Sequence, residues 1–162
     1  MTRAWSPVAF AGPARELVHA LKFHAARTAG DVMAAQMVAG APAGLLVPDA
    51  VLVPVPSHPR HARARGSDHA RTLARLVSGR TGLPVKCCLA RAGPAVRQVG
   101  SSRAARRADG RLRVQVRSQA PANVVLIDDV HTTGATLQAC AVALLEQGSD
   151  HVSAITYARA LS

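Results

Sequence analysis

The chain has 162 residues, of which 49% are apolar, a length and composition that suit one domain with a buried core. Its formal net charge of +11 predicts an anionic partner, either a phosphorylated small molecule or a nucleic acid. The three cysteines form no C-x-x-C pair, which argues against a zinc site or a disulfide framework and favours a cytoplasmic protein. Prolines interrupt the apolar stretch 37–56, so no membrane span is expected.

Residues 1–40 are predicted to be mainly helical. After Gly12–Pro13, a plausible helix start, apolar residues recur at the spacing of one helix face. A second helix is expected over roughly residues 30–39. Lys22 lies just off the apolar stripe of the first helix, so the pattern alone places it at the surface.

The sequence VLVPVP, residues 51–56, predicts a short buried strand that its prolines terminate. The loop that follows is basic and rich in histidine and arginine. The next helix is expected to begin after Ser67 or Asp68, because either residue is a good N-cap.

The second half of the chain begins with a predicted strand near residues 85–89. Residues 92–110 are polar and arginine-rich with little apolar periodicity, which predicts a flexible loop. A strand is expected at about 112–116, and its alternation places Arg113 and Arg117, together with Arg111 before it, on the outer side.

A buried strand at about 123–127 is followed by a helix that ends near Gly148 and by a last strand over 151–160. The apolar face of this helix is predicted to comprise Leu137, Cys140, Ala141, Leu144 and Leu145. Strands that alternate with helices predict an α/β fold, with a mainly parallel sheet flanked by helices. The whole chain, 1–162, is expected to form a single domain.

Two adjacent carboxylates, Asp128 and Asp129, follow the strand at 123–127. Ligands of open parallel sheets bind at the carboxyl ends of the strands, where loops and helix starts converge. Immediately afterwards, free backbone N–H groups and threonine hydroxyls are expected to converge on an anion, typically a phosphate. Carboxylates accept hydrogen bonds from hydroxyls, so a ribose 5-phosphate suits this pattern. The predicted phosphate-binding residues are Thr132, Thr133, Gly134, Ala135 and Thr136.

Two other interpretations of the acidic pair are weaker. A strand followed by two acids also describes the metal-binding motif of P-loop ATPases, but the chain contains no G-x-x-x-x-G-K-[ST] sequence. Acids that merely cap the following helix would explain one carboxylate, but not two carboxylates followed by a phosphate-type loop. The histidines, His131 among them, lack convincing metal-ligand spacing and are expected to be ordinary loop residues.

The sequence VVLIDDVHTTGAT, residues 124–136, resembles the phosphoribosyl pyrophosphate signature of the type I phosphoribosyltransferases. The resemblance extends to their ComF branch through LVHALKF at 17–23, VLVPVPSHPRHARARG at 51–66 and RQVGSSRAARRAD at 97–109. It implies that a nitrogen acceptor displaces pyrophosphate from phosphoribosyl pyrophosphate in the presence of Mg²⁺. The sequence contains no counterpart of the cysteine zinc module that is common at the N-terminus of this branch.

The resemblance also implies roles for individual residues. Asp128 and Asp129 would hold the ribose hydroxyls, and 92–110 would close over the reaction centre. Asp128, Asp129 and Arg103 are the implied catalytic residues. Those implied to face the pyrophosphate and its Mg²⁺ are Pro54, Val55, Pro56, Arg65, Arg103 and Arg106.

The chain departs from the family pattern on the acceptor side. The usual Arg-Gly-Phe-Asn-Gln stretch reads RGSDH at 65–69, and Asp109 stands where asparagine is common. The resemblance to the ComF branch also implies an alternative function, a non-catalytic accessory module for DNA uptake in competent bacteria, which would bind single-stranded DNA or competence proteins. The sequence is compatible with a homodimer, and it does not identify the acceptor.

Overall fold

The computed structural model describes residues 1–24, 27–57, 68–91 and 113–161. Arg65, Arg103, Arg106 and the predicted loop 92–110 lie outside these described residues. In chain order the elements are β1 (Arg3–Trp5), β2 (Val8–Ala9), α1 (Gly12–His24), α2 (Arg27–Ala39), β3 (Val51–Pro54), α3 (His69–Thr81), β4 (Leu89–Arg91), β5 (Val114–Val116), β6 (Asn123–His131), α4 (Ala135–Glu146) and β7 (His151–Arg159).

The main sheet is parallel, with the strand order β1-β7-β6-β3, and β2 pairs with β7 beyond the end of β1. Two pairs fix the register at the centre, Pro54 with Ile127 and Ile127 with Ile155. Leu52 also bridges Val85 in parallel, which extends the sheet beyond β3. The predicted fold class, α/β with a mainly parallel sheet flanked by helices, is confirmed.

The sheet separates two apolar cores. One contains buried residues of α1, α2 and α3, for example Met33 and Leu73, packed with Ile127 of β6. The other contains buried residues of α4 packed with the opposite faces of β6 and β7, for example Leu126 and Ala154. Strands buried on both faces explain the continuous apolar runs in the sequence.

The predicted helix starts agree with the structure at two places. The first helix begins at Gly12, and its residues Ala14, Val18 and Leu21 are buried. Asp68 caps α3, because its side chain accepts a hydrogen bond from the backbone N–H of Arg71. These starts were readable because capping is a local interaction.

Other features differ from the sequence-based expectations. The strands β1 and β2 were not predicted, since both are short and only their pairing with β7 defines them. β4 and β5 form a separate antiparallel pair rather than part of the main sheet. Leu145, expected on the inner face of α4, is 40% exposed.

Among the described residues, no helix has both the length and the apolar character that crossing a membrane requires.

Candidate functional site

The acidic pair lies within β6 rather than after it. The strand was expected to end at about residue 127, but it continues to His131, and Asp128 pairs with Thr156 of β7. The extension exists because β7 runs alongside to Arg159 and continues to supply main-chain partners. The two carboxylates therefore project from rigid backbone at the carboxyl edge of the sheet.

Asp129 forms an ion pair with a lysine from a different layer of the fold. Its Oδ2 lies 2.7 Å from Nζ of Lys22, and Asp129 itself is buried. The expectation that Lys22 is an exposed surface residue is wrong, since its side chain is 25% exposed. The aliphatic part of a lysine side chain can pack along the edge of an apolar stripe, which lets its ammonium group lie beside a polar group of another element.

Asp128 is half-buried and turned back onto the main chain, where its Oδ1 accepts a 2.9 Å hydrogen bond from the backbone N–H of Asp129. Burial, and after it the neighbouring charge of Asp129, raise the pKa of Asp128 from its ordinary value to about 7. The amide hydrogen bond and the charges of Lys22 and Arg91 oppose that rise in the pKa. Asp128 therefore changes its charge close to neutral pH.

Arg91, at the end of β4, is a second cation that the sequence analysis missed. Its Nε donates a 2.9 Å hydrogen bond to the carbonyl oxygen of Pro56, and its charge lowers the pKa of Asp128. No local pattern identifies it, because the contact joins the separate β4–β5 pair to the end of β3. Arg91 also immediately precedes the predicted loop 92–110.

The segment from Thr132 to Thr136 leads from β6 into the first turn of α4. Gly134 is the N-cap of α4, with φ of 75°, and it makes no side-chain cap hydrogen bond. The first turn of α4 contains no acidic residue, and Thr133 and Ala135 are exposed. Thr133 Oγ1 accepts a long, 3.4 Å bond from the backbone N–H of Ala135. This helix start offers N–H groups, threonine hydroxyls and a positive dipole end to an anion.

His131 packs over this turn. A Cβ atom placed on Gly134 would lie 2.7 Å from Nε2 of His131, so a larger residue would displace this imidazole in addition to adopting an unfavourable positive φ. Partial burial and the nearby charge of Arg159 lower the pKa of His131. The sequence analysis treated His131 as an ordinary loop residue and missed this contact.

Pro54, Val55 and Pro56 reach the same edge of the sheet. The backbone N–H of Val55 donates to the carbonyl oxygen of Ile127 at 2.9 Å, and prolines have no N–H. This tripeptide therefore has no N–H group left for an anion. Ser57 follows and donates a 3.1 Å hydrogen bond from its hydroxyl to Asp68 at the start of α3.

A protein-built metal site is absent from the described ranges, which contain no cluster of three or more histidine, cysteine or acidic side chains able to hold an ion. Mg²⁺ commonly binds through phosphate oxygens and retained waters rather than in an all-protein cage. A Mg²⁺ ion that enters with a phosphorylated ligand would not need such a cluster.

Several solved structures that are similar to this chain have names that mention phosphoribosyl compounds or purines. Glutamine phosphoribosylpyrophosphate amidotransferase from B. subtilis, in complex with ADP and GMP, matches 78% of this chain at 23% identity, with a TM-score of 0.51. An allosteric regulatory enzyme of purine biosynthesis matches 78% at 22% identity, with a TM-score of 0.49. Hypoxanthine-guanine phosphoribosyl transferase from L. donovani matches 80% at 16% identity, with a TM-score of 0.42, and the match covers 69% of that chain.

The matches cover 26% and 25% of the first two enzymes, so this chain spans about a quarter of their length. No protein-family model matches the chain, and no curated protein matches it significantly. The amidotransferase similarity shows the fold alone, a mainly parallel sheet flanked by helices. Function has to be argued from the site itself.

Proposed function

We propose that this chain is a phosphoribosyltransferase-like protein of the ComF branch, which binds phosphoribosyl pyrophosphate with Mg²⁺ at the carboxyl edge of the sheet. The observation that carries the proposal is the short distance along the chain from Asp128–Asp129 to the glycine start of α4. Hydroxyl acceptors and a phosphate-type helix start are thereby built into one strand-loop-helix unit. A ribose 5-phosphate presents the matching groups in the matching order.

The acidic pair would accept the two ribose hydroxyls. Within the described ranges, the polar contacts of the carboxylates engage Oδ1 of Asp128 and Oδ2 of Asp129. One oxygen of each carboxylate is then available to a hydroxyl donor. Hydrogen bonds to charged acceptors are stronger than neutral ones, which favours a ribose over a deoxyribose.

The residues from Thr132 to Thr136 would hold the 5-phosphate. The backbone N–H groups at the start of α4 and the threonine hydroxyls can donate to its oxygens. Gly134, which has no side chain, would allow the main chain to approach the phosphate closely.

The pyrophosphate would lie toward Arg65, Arg103 and Arg106, which are outside the described residues. Pro54, Val55 and Pro56 direct the chain past this position, and donors to the pyrophosphate must come from other residues. Mg²⁺ would be bound by ligand oxygens, and it would neutralise charge on the leaving pyrophosphate.

In the proposed reaction, a nitrogen nucleophile forms a bond to C1 of the ribose while the bond from C1 to the pyrophosphate oxygen breaks. The nucleophile loses a proton, and pyrophosphate leaves with the bonding electrons. The site would contribute chiefly orientation, because Asp128, Asp129 and the threonine loop fix the sugar at both ends. Positive charge that develops at C1 is favoured by the neighbouring carboxylates.

Ligand-induced thermal stabilisation tests this function before an acceptor is known. Phosphoribosyl pyrophosphate, ribose 5-phosphate and a single-stranded oligonucleotide are compared with and without Mg²⁺. A ligand at about 100 times its dissociation constant adds ~2.7 kcal/mol, or about 5–10 °C for a domain of this size. We expect a rise in the melting temperature with phosphoribosyl pyrophosphate and Mg²⁺.

Asp128→Asn should remove most of this rise, whereas Asp31→Asn, which alters an exposed ion pair between α2 and α3, should leave it unchanged. An equal response in the wild type and in Asp128→Asn would contradict the ribose assignment.

The net charge of +11 also favours a second candidate, an accessory module for DNA uptake that binds nucleic acid or a partner protein. Stabilisation by the oligonucleotide alone, with no response to either ribose phosphate, would favour this second function.

A further inference from the structure

The acidic pair is supported from the helical layer by Lys22, whose Nζ lies 2.7 Å from Oδ2 of Asp129. We propose that Lys22 is a positioning residue of the site: its ammonium group fixes the Asp129 carboxylate so that the pair can accept neighbouring ribose hydroxyls. This inference rests on the proposed function, since it concerns how the same site recognises its sugar.

A second ion pair in the described part shows the contrast with an ordinary surface bridge. Arg80 Nη1 and Asp31 Oδ1 are 3.6 Å apart, and their side chains are 35% and 43% exposed. Exposed pairs of this kind contribute little, because water screens them and the side chains lose freedom. The Lys22–Asp129 pair is shorter, with side chains only 25% and 11% exposed, so its charges are screened less.

The position of Lys22 is fixed by the packing of α1. The preceding residue, Leu21, is 3% exposed and belongs to the same apolar core as Ile127, which lies two residues before Asp129 on β6. The end of α1 and the end of β6 therefore contribute to one apolar core. A lysine on such an anchored helix can hold a carboxylate in one orientation at a small entropic cost.

Lys22 also affects the charge of the neighbouring carboxylate. In the described part, Asp128 is influenced by Asp129 on its own strand, by Lys22 on α1 and by Arg91 on β4, and it lies near the buried thiol of Cys140 on α4. Lys22 and Arg91 lower the pKa of Asp128, against the effects of burial and Asp129. Without Lys22, Asp128 would be protonated more often at neutral pH and would be a poorer hydroxyl acceptor.

The test compares the affinities of ribose 5-phosphate and 2-deoxyribose 5-phosphate, measured by calorimetry on both sides of pH 7. The two probes have the same charge and differ by one hydroxyl, so the ratio of their dissociation constants reports hydroxyl recognition alone. In the wild type we expect ribose 5-phosphate to bind about tenfold or more tightly, as one hydrogen bond to a charged group allows. In Lys22→Met the ratio should approach one at pH 7 and recover in part at higher pH.

Arg80→Met is the matched control, because it also removes a cation from an ion pair, and it should keep the wild-type ratio. A wild-type ratio in Lys22→Met at every pH would overturn the inference and leave the proposed function standing. A wild type that binds neither ribose 5-phosphate nor phosphoribosyl pyrophosphate would overturn the proposed function itself. Equal wild-type affinity for the two probes would overturn the hydroxyl assignment and this inference with it.

Unfolding experiments without ligand establish whether each variant is folded. If Lys22→Met does not fold, Lys22→Gln replaces it, since the amide can still donate to Asp129 but carries no charge. A partial loss of discrimination at pH 7 is expected in that variant, because the charge that lowers the pKa of Asp128 is removed while a donor to Asp129 remains, and a wild-type ratio there would overturn the inference. Failure of both variants to fold would assign Lys22 to fold stability and overturn the proposal.

Discussion

Asp128 has a pKa far from its ordinary value. Its pKa rises from 3.8 to about 7, mainly because burial disfavours the charged form. The folded protein therefore retains a proton that the unfolded chain releases at lower pH. Its contribution to stability is lost as the pH rises from about 4 toward 7, and it changes little above that range.

Asp128→Asn should therefore stabilise the free protein more at pH 8 than at pH 5. The asparagine oxygen can still accept the amide hydrogen bond of Asp129, while the cost of a buried charge disappears. We expect the difference from wild type to grow by about 2 kcal/mol between the two pH values, measured by urea unfolding. Asp31→Asn is the control, because Asp31 is an exposed acid, and its stability difference from wild type should not grow between the two pH values. A stability difference that is independent of pH would contradict the raised pKa.

Gly134 and His131 are expected to be energetically coupled, and a double-mutant cycle can measure their coupling free energy. Gly134 and Gly82 share the same backbone angles, φ of 75° and ψ of −2°, but a Cβ on Gly82 would have open space around it. Gly82→Ala should therefore show only the backbone strain, about 1 kcal/mol. Gly134→Ala should cost about 1 kcal/mol more, because the methyl group displaces the imidazole of His131.

In a His131→Ala background, the cost of Gly134→Ala should fall to that of Gly82→Ala. Chemical denaturation of the four proteins of the cycle measures the coupling free energy. Additive effects of the two substitutions would show that the imidazole does not press on the turn.

Among the helices, α4 differs from α3 in how it begins. Asp68 caps α3 with its side chain, whereas α4 begins at Gly134 without a side-chain cap and without an acid in its first turn. A helix start of this kind leaves N–H groups and a positive dipole end uncompensated by these local groups. The start of α4 is therefore less stabilised than that of α3, and its N–H groups and positive dipole end favour the binding of an external anion.

An acid introduced at the start of α4 should therefore exchange binding for stability. Ala135 is exposed, so Ala135→Asp should fold and should stabilise the free protein by about 0.5 kcal/mol through the helix dipole. The same carboxylate should weaken ribose 5-phosphate binding about tenfold or more by repulsion. Ala135→Asn provides a neutral control. Unchanged affinity in Ala135→Asp would place the phosphate elsewhere.

For the whole molecule, the net charge of +11 allows anion binding that has nothing to do with the site. Salt separates the two kinds of binding. A contact with several phosphates of a single-stranded oligonucleotide should lose about a thousandfold in affinity between roughly 50 and 200 mM salt. Ribose 5-phosphate should lose less than about tenfold, because it has one phosphate group. Fluorescence titrations at several salt concentrations measure both slopes, and equal slopes would favour a diffuse basic surface.

The sequence by itself determined the helices, the buried strands and the position of the acidic pair near a phosphate-type helix start. These features depend on local chemistry: apolar periodicity marks α1 and α4, and the Asp68 cap marks α3. The α/β class followed because alternating strands and helices have few stable arrangements. The resemblance of residues 124–136 to the phosphoribosyl pyrophosphate signature supplied the candidate ligand.

Only the tertiary structure decided what surrounds the acidic pair. Lys22 and Asp129 are far apart in the chain, and their contact exists because α1 belongs to the apolar core on the side of the sheet that holds Ile127. Arg91 donates a hydrogen bond to Pro56 from β4, which pairs with β5 outside the main sheet. Apolar periodicity does not indicate that this strand pair is separate. Burial, which raises the pKa of Asp128, is likewise a property of the packed molecule. The side-chain pattern shows which face of its own helix or strand a residue occupies. Long-range contacts and desolvation depend on which of these faces pack together in the folded protein.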